Sequence, residues 1–348
     1  MRRALALLPL IAAVVLTTWM RSPRPPAGLQ SGFRFIELRG PSRAEQAPHL
    51  GPFVLERVWA GRTAAYWGHG FSNLVALPDD ELLAFSDRGH WIRFPAPDQA
   101  PDKAPDKEGG LSAHAQVYPP GTVPDTFTDI ESATRDPLTG RIWLGHESSN
   151  IVVRLDRRLQ RERVARPPAM AGWSHNSGAE AMVRMADGRF LILREVDAAS
   201  WDSSPSGLLF AGEPGSGREP DSGREPDSRA GVTKFRVEGP AYFRPTDAAQ
   251  LPDGRVLVLY RRLVWPFPLR FAGRLAIGDP KDIRAGRPWR LREVARLTST
   301  LPVDNFEGMA VVPRSDGHLT VWLLSDDNNA KTQRTILWKL GVDPAKLR

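Results

Sequence analysis

A chain of 348 residues, 41% hydrophobic and 25% charged, has the composition of a folded protein that buries a substantial core. It contains no cysteine, which excludes disulfides, thiolate nucleophiles, cysteine-held zinc or iron–sulfur sites and a lipid anchor on cysteine. The net charge is +7, but the arginines are scattered through strands and turns, so no nucleic-acid partner is expected, whereas an anionic small molecule would not be repelled.

Met1-Arg2-Arg3 precede an apolar run from Ala4 to Leu16, which continues through Trp19-Met20 into a Pro-rich stretch. A basic start followed by an apolar run of this length reads as a signal peptide or membrane anchor over 1–20, with 21–30 as a linker. No small-x-small cleavage site stands out. Cleavage would give a periplasmic or secreted protein, and retention would anchor it at the inner membrane through this segment alone. An oxidising compartment also fits a chain without thiols.

Beyond the linker one unit recurs five times: Phe71 to Gly89, Asp129 to Glu147, Ala179 to Glu195, Thr246 to Arg262 and Asn305 to Asn328. Each copy is a short apolar run, a turn of the Asp-Gly, Thr-Gly or Asp-Asp kind, and a second apolar run, which is the pattern of a β-hairpin. The acidic positions recur at separations of roughly 50 to 65 residues, leaving room for two more strands per unit, as in the four-stranded blade of a propeller. Five hairpins allow five or six blades. Phe33 to Leu38 and Phe53 to Trp59 are candidate strands for closing the ring. Two Pro-, Gly- and charge-rich segments, 95–110 and 213–229, read as disordered surface insertions. The fold expected is therefore an all-β propeller over 31–348, monomeric, after the N-terminal signal or anchor.

In a hairpin, the start of the first strand and the end of the second lie at the same end. Glu131, Glu180, Asp247 and Glu307 fall near first-strand starts, and Asp87, Glu147, Glu195, Asp326 and Asp327 near second-strand ends. Radial repetition gathers them on one rim. Such a ring repels itself and raises carboxyl pKa values unless cations neutralise it. Calcium suits these oxygen ligands, and magnesium or manganese would also serve. Arg88, Arg261 and Arg334 offer an alternative counter-charge, and the acids could equally serve only as turn caps and inter-blade pairs. The fifth copy is the densest in polar groups, with Asn305 and Glu307 followed by Asp326, Asp327, Asn328 and Arg334. His69 and His175-Asn176 lie where they could reach the mouth. No Gly-x-Ser-x-Gly elbow, His-Glu-x-x-His helix, P-loop or dinucleotide fingerprint occurs.

Phe71-Ser72-Asn73, Phe85-Ser86-Asp87-Arg88-Gly89, Asp129-Ile130-Glu131, Asn176 to Glu180, Leu251 to Arg255, Asp304 to Gly308 and Leu324 to Asn328 with Gln333-Arg334-Thr335, in this order, resemble the phytase-like family (esterase-like activity of phytase). The resemblance implies a bacterial six-bladed β-propeller, named for likeness to enzymes whose acidic clusters bind calcium to activate water and hold substrate phosphates. The positions it carries over are Asp87, Glu131, Glu180, Asp247, Glu307, Asp326 and Asp327. The chain departs from the pattern at Phe71-Ser72-Asn73, where a Gly-rich Leu-Ser-Gly would stand, and it lacks a Lys-rich phosphate cradle. The expected roles are catalysis by Glu131, Glu180, Glu307, Arg88 and Arg334, and metal ligation by Asp87, Glu147, Glu195, Asp247, Asp326 and Asp327. Substrate contacts are expected from His69, Asn73, His175, Asn176, Arg261, Asn305 and Asn328. Two functions follow: a metal-dependent hydrolase of phosphoric, carboxylic or lactone esters, or a non-catalytic periplasmic propeller binding a small ligand or envelope partner at the same mouth.

Overall fold

The structure, a computed structural model, describes residues 33–63, 68–99, 112–118, 129–196, 206–215, 231–265 and 270–347. The N-terminal segment 1–20, the linker and most of both insertions lie outside the described residues. The chain opens with β1 (Phe33–Leu38), helix α1 (Arg43–Leu50) and β2 (Phe53–Thr63). A capping box starts the helix: Ser42 accepts from the Glu45 N–H, and the Glu45 side chain accepts from the Ser42 N–H. Blade 1 follows as β3 (Val75–Ala76), β4 (Glu81–Phe85), β5 (Trp91–Pro95) and β6 (Ser112–Tyr118), and blade 2 as β7 (Ile130–Arg135), β8 (Ile142–His146), β9 (Ile151–Leu155) and β10 (Arg161–Ala165). Blade 3 is β11 (Ala179–Arg184), β12 (Phe190–Arg194), β13 (Gly207–Phe210) and β14 (Val232–Glu238). Blade 4 contains β15 (Arg244–Gln250), β16 (Val256–Val264) and β17 (Arg270–Gly278); after β18 (Pro288–Arg290), which runs parallel to β14, it is completed by β19 (Arg292–Leu297). Blade 5 is β20 (Asn305–Pro313), β21 (Leu319–Asp326) and β22 (Ile336–Val342), with β2 as its fourth strand.

There are thus five blades, not the six that the resemblance implies. Every hairpin read from the sequence is the inner hairpin of one blade, and the chain before the first hairpin is spent on closure. Of the two candidate closing strands, β2 completes blade 5 by pairing antiparallel with β22. β1 pairs with β2 on one side and with β6 of blade 1 on the other, joining the last and first blades in one nine-stranded sheet. The first strands β3, β7, β11, β15 and β20 each lie beside the next, and β20 returns to β3.

The core has the same fivefold division. Five apolar clusters each fill one gap between neighbouring blades; Leu257, Leu259, Leu323 and Trp338, for example, pack between blades 4 and 5. Packing on both faces explains why β8 and β12 are buried at every residue and read as apolar runs up to their last residues, His146 and Arg194. Full burial of one such Leu or Ile contributes about 1.5–3 kcal/mol. Close approach is required at the centre: a Cβ on Gly308 of β20 would lie 2.7 Å from the carbonyl carbon of Asn73, so only glycine fits there. No helix among the described residues is long and apolar enough to cross a membrane.

Candidate functional site

The first strands carry a shared irregularity. In blades 2, 3, 4 and 5 the hairpin register slips by one residue, leaving Glu131, Glu180, Thr246 and Glu307 unpaired as bulges. The same slip separates the Phe71–Ser86 bridge from the Val75–Leu83 pair in blade 1, around Ser72. A bulge turns a side chain that alternation would send between the blades, and here it sets a polar residue at the start of each inner strand. The register also fixes which second-strand positions correspond. Asp87, Glu147, Glu195, Arg261 and Asp326 each follow the residue paired with the one before the bulge. Four blades place an acid there, and blade 4 places an arginine.

Blades 2 and 3 bring the acids closest together. One carboxylate oxygen each from Asp129, Glu131 and Glu147 lie within 4.8 Å of one another, and so do those of Glu147, Glu180 and Glu195. Burial pushes the Glu131 carboxyl well above its usual range, and the charges of Glu180, Glu307, Asp87 and Asp129 push the same way. Burial does the same to Glu180, reinforced by Glu195 and Glu147 and opposed by Arg261. Glu147 is raised by burial too, against a hydrogen bond from the Gly178 N–H and one shared with Glu180. Gly178 allows this approach, since a Cβ there would fall 2.4 Å from the Glu147 Cα. Asp129, at φ 74°, accepts the Ser148 N–H at 3.0 Å and so holds its carboxylate beside the loop bearing Glu147. This set of hard carboxylate oxygens fits calcium better than a softer metal.

Blade 4 answers with a cation. Arg261 reaches Glu307 at 2.9 Å, Glu195 at 3.3 Å and Asn305 Oδ1 at 3.1 Å, and Arg244, its cross-strand partner, adds a second contact to Glu195 at 3.3 Å. Burial opposes the guanidinium charge, but Glu307, Glu195, Glu180 and Glu131 outweigh it and raise the Arg261 pKa. Glu307 is raised by burial despite Arg261 and a 2.7 Å hydrogen bond from Asn305 Nδ2. Across blades 5 and 1, burial sends Asp326 well up, with Glu307, Asp327 and Asp87 adding to it. Its neighbour Asp327 goes down in spite of burial, because His69 Nδ1 lies 2.6 Å away and Asn329 N–H and Thr335 Oγ1 donate to it at 3.0 Å.

A family model described as Phytase-like, esterase-like activity of phytase, matches residues 67–329. The chain belongs to this family. Among solved structures, this phytase-like chain is similar to the Kuenenia stuttgartiensis hydrazine synthase (13% identity over 74% of this chain and 57% of that one, TM-score 0.33). It is also similar to the Malassezia sympodialis allergen Mala s 1 (11%, 78% and 77%, TM-score 0.38) and to the PQQ-bound aldose sugar dehydrogenase of Streptomyces coelicolor (13%, 87% and 100%, TM-score 0.42). The chain spans little more than half of the first of these. No curated protein sequence matches.

Other residues expected at the site have more local duties. Asp247 stands one residue past the bulge, buried, with its oxygens taken by the Met309 N–H at 2.6 Å and the Ala248 N–H at 2.7 Å. It ties blade 4 to blade 5, and Thr246 occupies the position that holds glutamate in blades 2, 3 and 5. Asn73 is likewise one residue past its slip; its Oδ1 accepts the Phe85 N–H, and its buried Nδ2 has no hydrogen-bond partner. Arg88 lies 3.8 Å from Asp87, and Arg334 pairs at 3.4 Å with Asp304, whose carboxyl burial lifts to about 6. His175, exposed beside Asn176, bonds the Ser148 carbonyl at 2.7 Å, and the exposed Asn328 donates to Gln333 at 2.8 Å. Asp129 and Arg244 were not singled out from sequence. Asp129 stood in a quoted motif two residues before Glu131, and Arg244 becomes legible only once Arg261 is known to lie opposite it.

Proposed function

We propose that this phytase-like propeller is an exported, calcium-dependent ester hydrolase whose reaction takes place at the carboxylate mouth. The observation that carries this reading is the pair of triads sharing Glu147, which concentrates five carboxylates on blades 2 and 3 while blade 4 supplies a fixed guanidinium. Calcium bound by Asp129, Glu131, Glu147, Glu180 and Glu195 would neutralise their charge and polarise an ester oxygen. Arg261, held between Glu307 and Glu195, fixes a guanidinium beside the mouth, suited to an oxygen that gains negative charge in the transition state. Burial and the neighbouring Glu307, Asp327 and Asp87 raise the Asp326 pKa, the direction that a general acid for a departing alkoxide requires. Export rests on the apolar segment after Met1-Arg2-Arg3 and on the absence of cysteine.

The test is turnover of 4-nitrophenyl phosphate, 4-nitrophenyl acetate and a simple lactone before and after chelation. Loss on chelation, recovery with calcium and failure of Glu131→Gln to recover are the expected results. Turnover indifferent to both chelator and Glu131→Gln would overturn the proposal. Stabilisation by calcium with no turnover of any ester would favour a non-catalytic ligand-binding propeller.

A further inference from the structure

Blade 4 is longer than its neighbours at the mouth. Pairing of β15 with β16 ends at Arg244–Arg261, and pairing of β17 with β19 ends at Gly273–Leu297. β16 and β17 continue alone through Arg262–Ala272, Leu263–Phe271 and Val264–Arg270. The result is a two-stranded ribbon rising from the rim directly beyond Arg261.

Strand alternation gives this ribbon two unlike faces. On one, Arg262 and Arg274 lie 5.4 and 4.4 Å from the ring centre of Phe243, which pins the ribbon to the propeller. On the other, the cross-strand pair Leu263 and Phe271 continues outward from Arg261, and Trp265 follows immediately after Val264, the last paired residue of β16. Trp265 is 67% exposed and Leu263 41%, and Tyr242, 63% exposed, lies just before Arg244 at the same corner. Of the four exposed large hydrophobic residues among the described residues, Leu263 and Trp265 lie on the ribbon and Tyr242 two residues before Arg244, with Leu138 elsewhere. The pinned backbone holds an apolar wall in water immediately beside guanidinium and carboxylate groups.

We propose that this face binds the apolar part of the substrate. The esters taken at the mouth then carry an alkyl, acyl or aromatic group of several carbons beside the reacting bond. The inference rests on the hydrolase reading for its chemistry and on the ribbon for its selectivity.

Two measurements separate these. Hydrolysis of 4-nitrophenyl acetate, butyrate and hexanoate is expected to show kcat/KM rising with chain length by about tenfold overall, well short of the roughly 250-fold that full burial of all four added methylenes would give, because the wall covers the chain on one side only. The double variant Leu263→Ser/Trp265→Ser should flatten that ratio to about twofold, and Trp265→Phe should keep it. A ratio that is flat in the unaltered protein, or unchanged in the double variant, overturns the inference and leaves the hydrolase reading standing. Calorimetric binding of hexyl phosphate against ethyl phosphate covers the case of no turnover. Preference for the hexyl compound, lost in the double variant, supports the wall while the hydrolase reading falls, and equal binding overturns the wall. A dimer that buries Trp265 would also overturn it.

Discussion

The two sides of the mouth are built from one blade template and end in opposite electrostatic states. On blades 2 and 3, the bulge and the second-strand end both carry glutamate, and burial and mutual repulsion leave Glu131 and Glu180 short of positive charge. On blade 4, the same two positions hold Thr246 and Arg261, so that side brings its own cation. A ring of equal blades need not be an equal ring: one exchange of acid for arginine divides it into a half crowded with carboxylates and a half that brings its own cation.

The comparison can be broken most sharply by pH. Carboxyls whose pKa is raised on folding stabilise the protein below their unfolded values, and that stability is lost as pH climbs towards the folded value. Asp304, at about 6, would by itself cost the metal-free protein about 2 kcal/mol between roughly pH 4 and 6. Glu131, Glu180 and Asp326 act in the same direction, whereas Asp327, lowered on folding, removes stability only as pH falls below its usual range. Melting temperature in chelator should therefore decline from pH 4.5 to 7, and calcium should flatten the decline; a metal-free protein equally stable across this range would contradict the uncompensated half.

Arg261→Met should cost about 3 kcal/mol, because Glu307 loses its cation while staying buried and Glu195 is left with Arg244 alone. Its melting temperature should then respond to calcium more strongly than that of the unaltered protein. Calcium at about 100 times its dissociation constant should add about 2.7 kcal/mol, and Glu147→Gln, which touches both triads, should abolish the gain. Asp247→Ala should cost about 2 kcal/mol by leaving the Met309 and Ala248 N–H groups unpaired, with the calcium response intact. Loss of that response would return Asp247 to the ion-binding side.

Much of the fold was legible because hairpins are local. Asp-Gly turns such as Asp253-Gly254, with Gly254 at φ 93°, mark chain reversals that the structure keeps. The blade count went astray where the resemblance supplied a blade that no hairpin supported. The gathering of acids on one rim followed from hairpin geometry alone, but register did not. A one-residue slip exchanges the two faces of a strand, so Asp247 looked equivalent to Glu131, Glu180 and Glu307 until pairing showed Thr246 in that place. Arg261 was visible beside Tyr260, and aligning second-strand ends would have set it against Asp87, Glu147, Glu195 and Asp326. The link from β1 to β6 could not be read, because nothing local joins strands separated by most of blade 1.

That N-terminal clasp bears on how the molecule is made. β2 must wait for β22, nearly three hundred residues later in the chain, before blade 5 is whole. During synthesis the first four blades can stack in order while the edge strands of an open arc stay bare. Contacts of such long sequence separation form slowly. Glu307 and Asp326, on the last blade, therefore take their places only when the ring shuts, and a nascent chain carries no complete mouth before it has finished folding.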